Sequence, residues 1–138
     1  MNAESPKWLT GSCNCGRATY RVRDDFEYAQ NCHCSGCRKA TGSAFKPFGG
    51  IRREQFEVHA NGNKLLRIGS EVDQDVRCAD CGAFLYSVVR HGSYVHVAYG
   101  SLNNEPTLKP EGHIFVGSKA SWHTITDDLP QYEELPPA

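Results

Sequence analysis

Long apolar runs are missing from this sequence. None approaches the roughly 20 residues that span a bilayer as a helix, and mean hydropathy is -0.53. A signal-like start is missing too. The opening residues MNAESPKWLTGSCNCG have no basic stretch followed by an apolar one, so a cytoplasmic protein is expected. Neither sign of charge dominates, since 15 Lys and Arg stand against 16 Asp and Glu, a formal net charge of -1. That balance argues against nucleic-acid binding by bulk charge and against a polybasic membrane-surface protein. No basic stripe with interleaved aromatics supplies an alternative route to nucleic acid. No internal repeat and no linker composition breaks the chain. Its 138 residues suit one domain with a modest core, expected to cover 1–138.

Helical periodicity is scarce as well, and what replaces it has a period of two. In RATYRVR, Ala18, Tyr20 and Val22 fall on one side, and Arg17, Thr19, Arg21 and Arg23 on the other, as in a half-buried strand. QFEVHA and KLLRIG flank NGN and read as a hairpin. AFLYSVV and YVHVAYGSL flank RHGS and read as a second one, and GHIFVG is a further short strand. SGCRKATG is the one helical stretch, ended by Gly42. The acidic, proline-rich tail DDLPQYEELPPA is expected to lie as extended coil on the surface. The expected class is mainly β, with short antiparallel strands and little helix.

Cysteine is the residue in excess: seven occur, an odd number that a fully disulfide-paired monomer cannot use. In a reducing compartment, clustered thiols read as metal ligands or redox groups. Cys78, Cys81 and Gly82 form a C-x-x-C-G knuckle, in which backbone amides point at the sulfurs and glycine allows the tight bend. A knuckle supplies two ligands. Cys13 and Cys15 are its natural partners, giving a closed four-thiolate structural zinc site. Cys32, Cys34 and Cys37 then remain as a triplet with a fourth position to fill. An open, ligand-exchanging metal site is one reading; a structural zinc closed by a histidine and a redox-active or metal-free thiol cluster are the others. Three thiolates leave a zinc centre near -1, a poor activator of water but a good host for a soft ligand such as a substrate thiol. His33, between two of the ligands, is expected to face away from such a metal and to hydrogen bond.

In order along the chain, GSCNCG, CHCSGCRKATGSAF, RCADCGAFLY and HIFVGSKASWHTITDDLPQY resemble the motifs of the glutathione-dependent formaldehyde-activating enzyme (GFA) family. The domain of that family also occurs in centromere protein V. The likeness runs from about Gly11 to about Tyr132. It implies twisted antiparallel sheets similar to the β-tent fold, and two zinc ions per chain. Cys13, Cys15, Cys78 and Cys81 would hold the structural ion, and Cys32, Cys34 and Cys37 the ion associated with activity, which a crystal could show partly occupied. It further implies a carbon–sulfur lyase that forms or cleaves S-(hydroxymethyl)glutathione from glutathione and formaldehyde.

Two functions of different kinds follow. One is a zinc enzyme acting on a small thiol and a small carbonyl compound. For it, Arg38 and Lys39 are candidate contacts to an anionic substrate, and Lys119, Trp122 and His123 a candidate second wall. The other is a non-catalytic zinc module that binds glutathione or a protein partner. The oligomeric state has no signal in the sequence.

Overall fold

Alternation along the strands divides the molecule into a packing face and a working face. The structure, a computed structural model, describes residues 5–137. Its elements in chain order are β1 (Trp8–Ser12), β2 (Thr19–Arg23), β3 (Tyr28–Cys32), α1 (Ser35–Thr41), β4 (Lys46–Arg52) and β5 (Phe56–His59). They continue with β6 (Leu65–Gly69), β7 (Gln74–Cys78), β8 (Phe84–Val89), β9 (Tyr94–Ala98) and β10 (His113–Ile114). The small sheet has the order β1-β2-β5, and the large one β10-β3-β4-β9-β8-β7-β6. Pairing is antiparallel throughout, except that β10 runs parallel to β3. The protein is therefore mainly β, made of short strands in twisted sheets, as the sequence implied.

The core lies between the two sheets. Leu9, Tyr20 and Val22 of the small sheet meet Ile51, Val76, Val88, Val95 and Val97 of the large one, all buried. Each such side chain contributes roughly 1.5–3 kcal/mol when fully buried. The alternation read in RATYRVR is realised, with Ala18, Tyr20 and Val22 inside. The hairpin around RHGS forms as well, since β8 pairs with β9. Its turn places Arg90 (φ 52°) and His91 (φ 56°) in the left-handed region, and the Gly92 N–H donates to the Val89 carbonyl at 3.1 Å. Two positive-φ central residues give the hairpin-matching type I′ turn, at a cost of about 1 kcal/mol or more for each non-glycine residue.

The NGN hairpin does not form. β5 joins β2 in the small sheet, with Tyr20 opposite Val58 and Val22 opposite Phe56. β6 instead pairs with β7 at the edge of the large sheet. A single 3₁₀ turn at Gly62–Lys64 carries the chain from one sheet to the other. Burial decides the outcome: Phe56 and Val58 pack on the common core, which a local hairpin would have denied them.

The opposite face of the large sheet is laid out by register. Cys32 faces Lys46, Gln30 faces Phe48, and Tyr28 faces Gly50, which in turn faces His96. Ser87 pairs with His96 and Asp75 with Ser87, so a polar row continues across β8 to β7. Gly50 is required here by space, because a Cβ there would lie 2.1 Å from the Tyr28 ring. The tail does more than lie on the surface. The His113 N–H donates to the Pro130 carbonyl at 2.8 Å, the Tyr132 N–H to His113 at 2.9 Å, and the Phe115 N–H to Glu134 at 2.8 Å. It is thereby zipped along β10.

Candidate functional site

Two turns supply the first cysteine cluster. Cys13 and Cys15 sit between β1 and β2, Cys78 ends β7 and Cys81 follows in the turn to β8, so the cluster joins the small sheet to the large one. The four sulfurs lie within 4.8 Å of one another. Cys13 Sγ is 3.5 Å from Cys15 Sγ, which is 3.7 Å from Cys78 Sγ. A tetrahedral zinc with Zn–S of about 2.3 Å sets sulfurs about 3.8 Å apart, so the spacing fits that ion. The knuckle geometry is as expected: the Cys81 N–H points at Cys78 Sγ, 3.5 Å away, and Gly82 has φ 78°. The Ala18 N–H likewise points at Cys13 Sγ at 3.3 Å. The Cys81 thiol is drawn down to about 6, first by the Ala83 amide and then by that of Cys15. The Arg17 amide lowers the Cys15 thiol, but burial and the other three cysteine thiols outweigh it and raise it to about 11. The four thiols therefore do not all ionise near neutral pH without a cation to hold them.

The second cluster is built from the end of β3 and the start of α1. Cys34 is the N-cap of α1, and its sulfur accepts from the Cys37 N–H at 3.3 Å. One helical turn then brings Cys37 back over Cys32, and the three sulfurs lie within 4.8 Å of one another. Gly42 (φ 66°) closes the helix by donating to the Arg38 carbonyl. Cys32 and Cys37 perturb each other's thiols. Their hydrogen bond lowers the Cys32 thiol and, together with burial, pushes that of Cys37 well up. No fourth Cys, His, Asp or Glu among the described residues joins this group, and its all-sulfur donor set suits zinc.

Cys32 and Cys37 open into a cavity of about 470 Å³. Its floor is the working face of the large sheet, with Tyr28, Lys46, Phe48 and His96. Arg90 closes one side, and Leu135 and Pro136 of the tail line it too. No Asp or Glu is among the lining residues, so two cations face it without an acid. The Arg90 guanidinium lies 4.9 Å from the Tyr28 ring centroid and 4.6 Å from that of Tyr94. The strained turn at Arg90 is what aims this side chain back over the sheet.

His33 faces away from the triplet sulfurs, as its position suggested, and is wholly buried. Its Nε2 lies 2.7 Å from His113 Nδ1, and His113 Nε2 lies 3.0 Å from Asp127 Oδ2. The Asp127 carboxylate accepts from His113 Nε2–H. His113 Nδ1 must then accept from His33 Nε2–H, which leaves His33 Nδ1 as an acceptor with no partner among the described residues. Burial, followed by the nearby His113, lowers His33 to about 4, so it is neutral near pH 7. The relay pins the turn that carries the cysteine triplet to the C-terminal segment.

Residues 8–118 match the family described as "Glutathione-dependent formaldehyde-activating enzyme". The chain belongs to that family. A Phaeosphaeria nodorum relative named "Putative glutathione-dependent formaldehyde-activating enzyme" is 35% identical over 115 residues, which cover 77% of this chain and 60% of the relative. Proteins of the same name from Penicillium rubens and Aspergillus terreus are 33% and 32% identical over 94 and 77 residues. Those stretches cover 62% and 54% of this chain but only 49% and 40% of the relatives, so the match spans half or less of their length. Among solved structures, a Rhodobacter sphaeroides protein shares the fold with a TM-score of 0.56 and 21% identity, covering 71% of this chain and 91% of its own.

In this GFA-family chain the structure gathers the seven cysteines into the two groups read from spacing. The other candidate contacts stand apart from the cavity. Lys39 is exposed, and Arg38 keeps a buried Nε without a partner among the described residues. Trp122 is 70% exposed, Lys119 donates to the carbonyls of Ala120 and His123, and the His123 ring lies 5.5 Å from Phe45. Sequence reading missed Tyr28, Lys46, Phe48, Arg90 and His96. One signal was available: Lys46 and His96 interrupt otherwise apolar strands, in AFKPF and YVHVAY.

His96 gives a pH prediction. It stacks on Phe48 at 4.3 Å, and its Nε2 lies 2.6 Å from the Tyr28 hydroxyl. Burial first, then Lys46 and Arg90, lower its pKa to about 3. Below pH 6.5 the unfolded chain takes up a proton that the folded chain refuses, so stability is lost as pH falls toward 3. The stability gap between the parent and a His96→Gln variant, read by urea unfolding, should narrow by about 1 kcal/mol from pH 7 to pH 5.5. A gap independent of pH would show that His96 is not held neutral.

Proposed function

We propose that this protein is a zinc-dependent enzyme of the carbon–sulfur lyase type, which forms or cleaves the adduct of a thiol and a small carbonyl compound. Glutathione and formaldehyde, giving S-(hydroxymethyl)glutathione, are the proposed substrates, in line with the family and with the names of the relatives. One observation carries the reading: two sulfurs of a three-cysteine cluster face a cavity large enough for a small ligand. Cys13, Cys15, Cys78 and Cys81 are proposed to hold a structural zinc, and Cys32, Cys34 and Cys37 the second. Zinc bound by the triplet would keep a substrate thiol in its thiolate form near neutral pH.

The chain's own residues do the rest. Arg90 favours a ligand that carries carboxylates, as glutathione does. Tyr28, Phe48 and Phe115 wall the cavity and displace water from the reacting groups. Arg38, Lys39, Lys119, Trp122 and His123 remain candidate contacts for a ligand that extends beyond the cavity. A cytoplasmic location suits seven free thiols.

The reading is tested with cobalt in place of zinc. Glutathione should strengthen the sulfur-to-metal charge-transfer absorption of the parent protein, and a Cys32→Ser variant should show no such response. An unchanged spectrum at saturating glutathione would close the fourth position and remove the enzyme reading.

A further inference from the structure

Lys46 is a cation in a place where cations are rarely left alone. It is 7% exposed, and no carboxylate among the described residues lies within ion-pair distance of it. Lysines so buried are normally paired. Its polar contact is one long hydrogen bond, from Nζ to Ser87 Oγ at 3.4 Å. Ser87 in turn donates to Asp75 Oδ1 at 2.7 Å, so its oxygen is oriented to accept from the ammonium. Nζ also lies 4.9 Å from the Phe84 ring centroid and 5.7 Å from that of Phe48, which fix the side chain without consuming its other N–H groups. Lys46 is the cross-strand neighbour of Cys32 on the working face, and both line the cavity. Opposed residues of this kind have Cβ atoms about 5 Å apart.

The chemistry proposed above needs such a group. When a thiolate adds to a carbonyl, its sulfur lone pair forms the S–C bond and the C=O π pair moves onto oxygen. Negative charge thus passes from sulfur to an atom one carbon away. A zinc ion carrying three thiolates is a weak Lewis acid, so little help for that oxygen comes from the metal side. We propose that Lys46 is a catalytic residue, whose ammonium donates a hydrogen bond to the carbonyl oxygen as it becomes an alkoxide. Water then supplies the proton that completes the hydroxyl group, and the hydroxide formed is taken up by solvent. In the cleavage direction the same contact steadies the alkoxide before the S–C bond breaks. This rests on the thiol–carbonyl reading. The role is that of an oxyanion partner aimed at where charge develops.

A binding experiment on the cobalt-substituted protein tests it without turnover. Thioacetate sets beside its sulfur, on the same carbon, an oxygen that shares the negative charge, at the place of the alkoxide oxygen, whereas ethanethiol carries the sulfur alone. Both are titrated by charge-transfer absorption against the parent and a Lys46→Met variant. The preference for thioacetate over ethanethiol should fall about tenfold in the variant, the scale of one charge-assisted hydrogen bond, while ethanethiol binding stays the same. If the variant loses affinity for both probes equally, Lys46 only balances the charge of the cluster, and the proposal is overturned. An unchanged preference overturns it as well. No response to either probe in the parent would instead remove the open-site reading, and this proposal with it. Should Lys46→Met fail to fold, Lys46→Gln keeps a polar end and is read by the same ratio.

Discussion

A Cys81→Ser variant is expected to aggregate, or to melt far below the parent protein. Its sulfur belongs to the cluster that ties the β1–β2 turn to the β7–β8 turn, and through them the small sheet to the large one. The other links between these turns are weak. The Arg17–Asp80 ion pair, for example, spans 3.7 Å, with Arg17 largely exposed. A structural zinc contributes on the order of 10 kcal/mol of folding free energy, as much as the whole stability of many domains. Serine is a poor zinc ligand, so a large part of that contribution is lost. Thermal melting with zinc analysis checks the outcome, and a soluble variant with an unchanged midpoint would refute the structural assignment.

Cys34→Ser should behave in the opposite way, staying folded while losing its function. The triplet closes only a short loop, so a metal held there would add little to the link between distant parts of the chain. The substitution is also mild for the helix. Cys34 is the N-cap of α1, and serine is among the preferred residues at that position. Melting should therefore shift by no more than about 1 kcal/mol in stability. Zinc content should drop from two ions per chain to one. Turnover of the glutathione–formaldehyde adduct should fall by more than about 100-fold, since residues that merely orient metal ligands are already worth roughly 10–100-fold. Two zinc ions retained per chain would show that the second ion binds elsewhere.

What the sequence disclosed was local. Cysteines two or three residues apart must share a turn, whatever the rest of the chain does, so spacing marks the three groups, and the need for four ligands then joins Cys13 and Cys15 to Cys78 and Cys81. The strand alternation of RATYRVR, the RHGS hairpin and the helix ended by Gly42 were legible too, because each depends on neighbours within a few residues. The NGN stretch shows the limit. It does turn the chain, but the partners of β5 and β6 are chosen by where Phe56, Val58 and Leu65 can be buried, and that is a property of both sheets together. The cavity was hidden for the same reason. Tyr28, Lys46, Arg90 and His96 come from β3, β4, the β8–β9 turn and β9, and each looks like an ordinary polar residue of a half-buried strand until the register sets them side by side.

That register has a consequence for how such a protein can change. Along β3, β4 and β9 the chain is written in two interleaved frames. Ala29, Ile51, Val95 and Val97 belong to the frame that packs, and Cys32, Lys46, Phe48 and His96 to the frame that lines the cavity. Substitutions in the second frame can remodel the cavity while the first continues to specify the fold. A single inserted residue within a strand exchanges the frames, sending valines to the cavity and a lysine to the core. Variation in this part of the molecule is therefore cheap by replacement and ruinous by insertion, and chain length is free to drift only in the connecting turns.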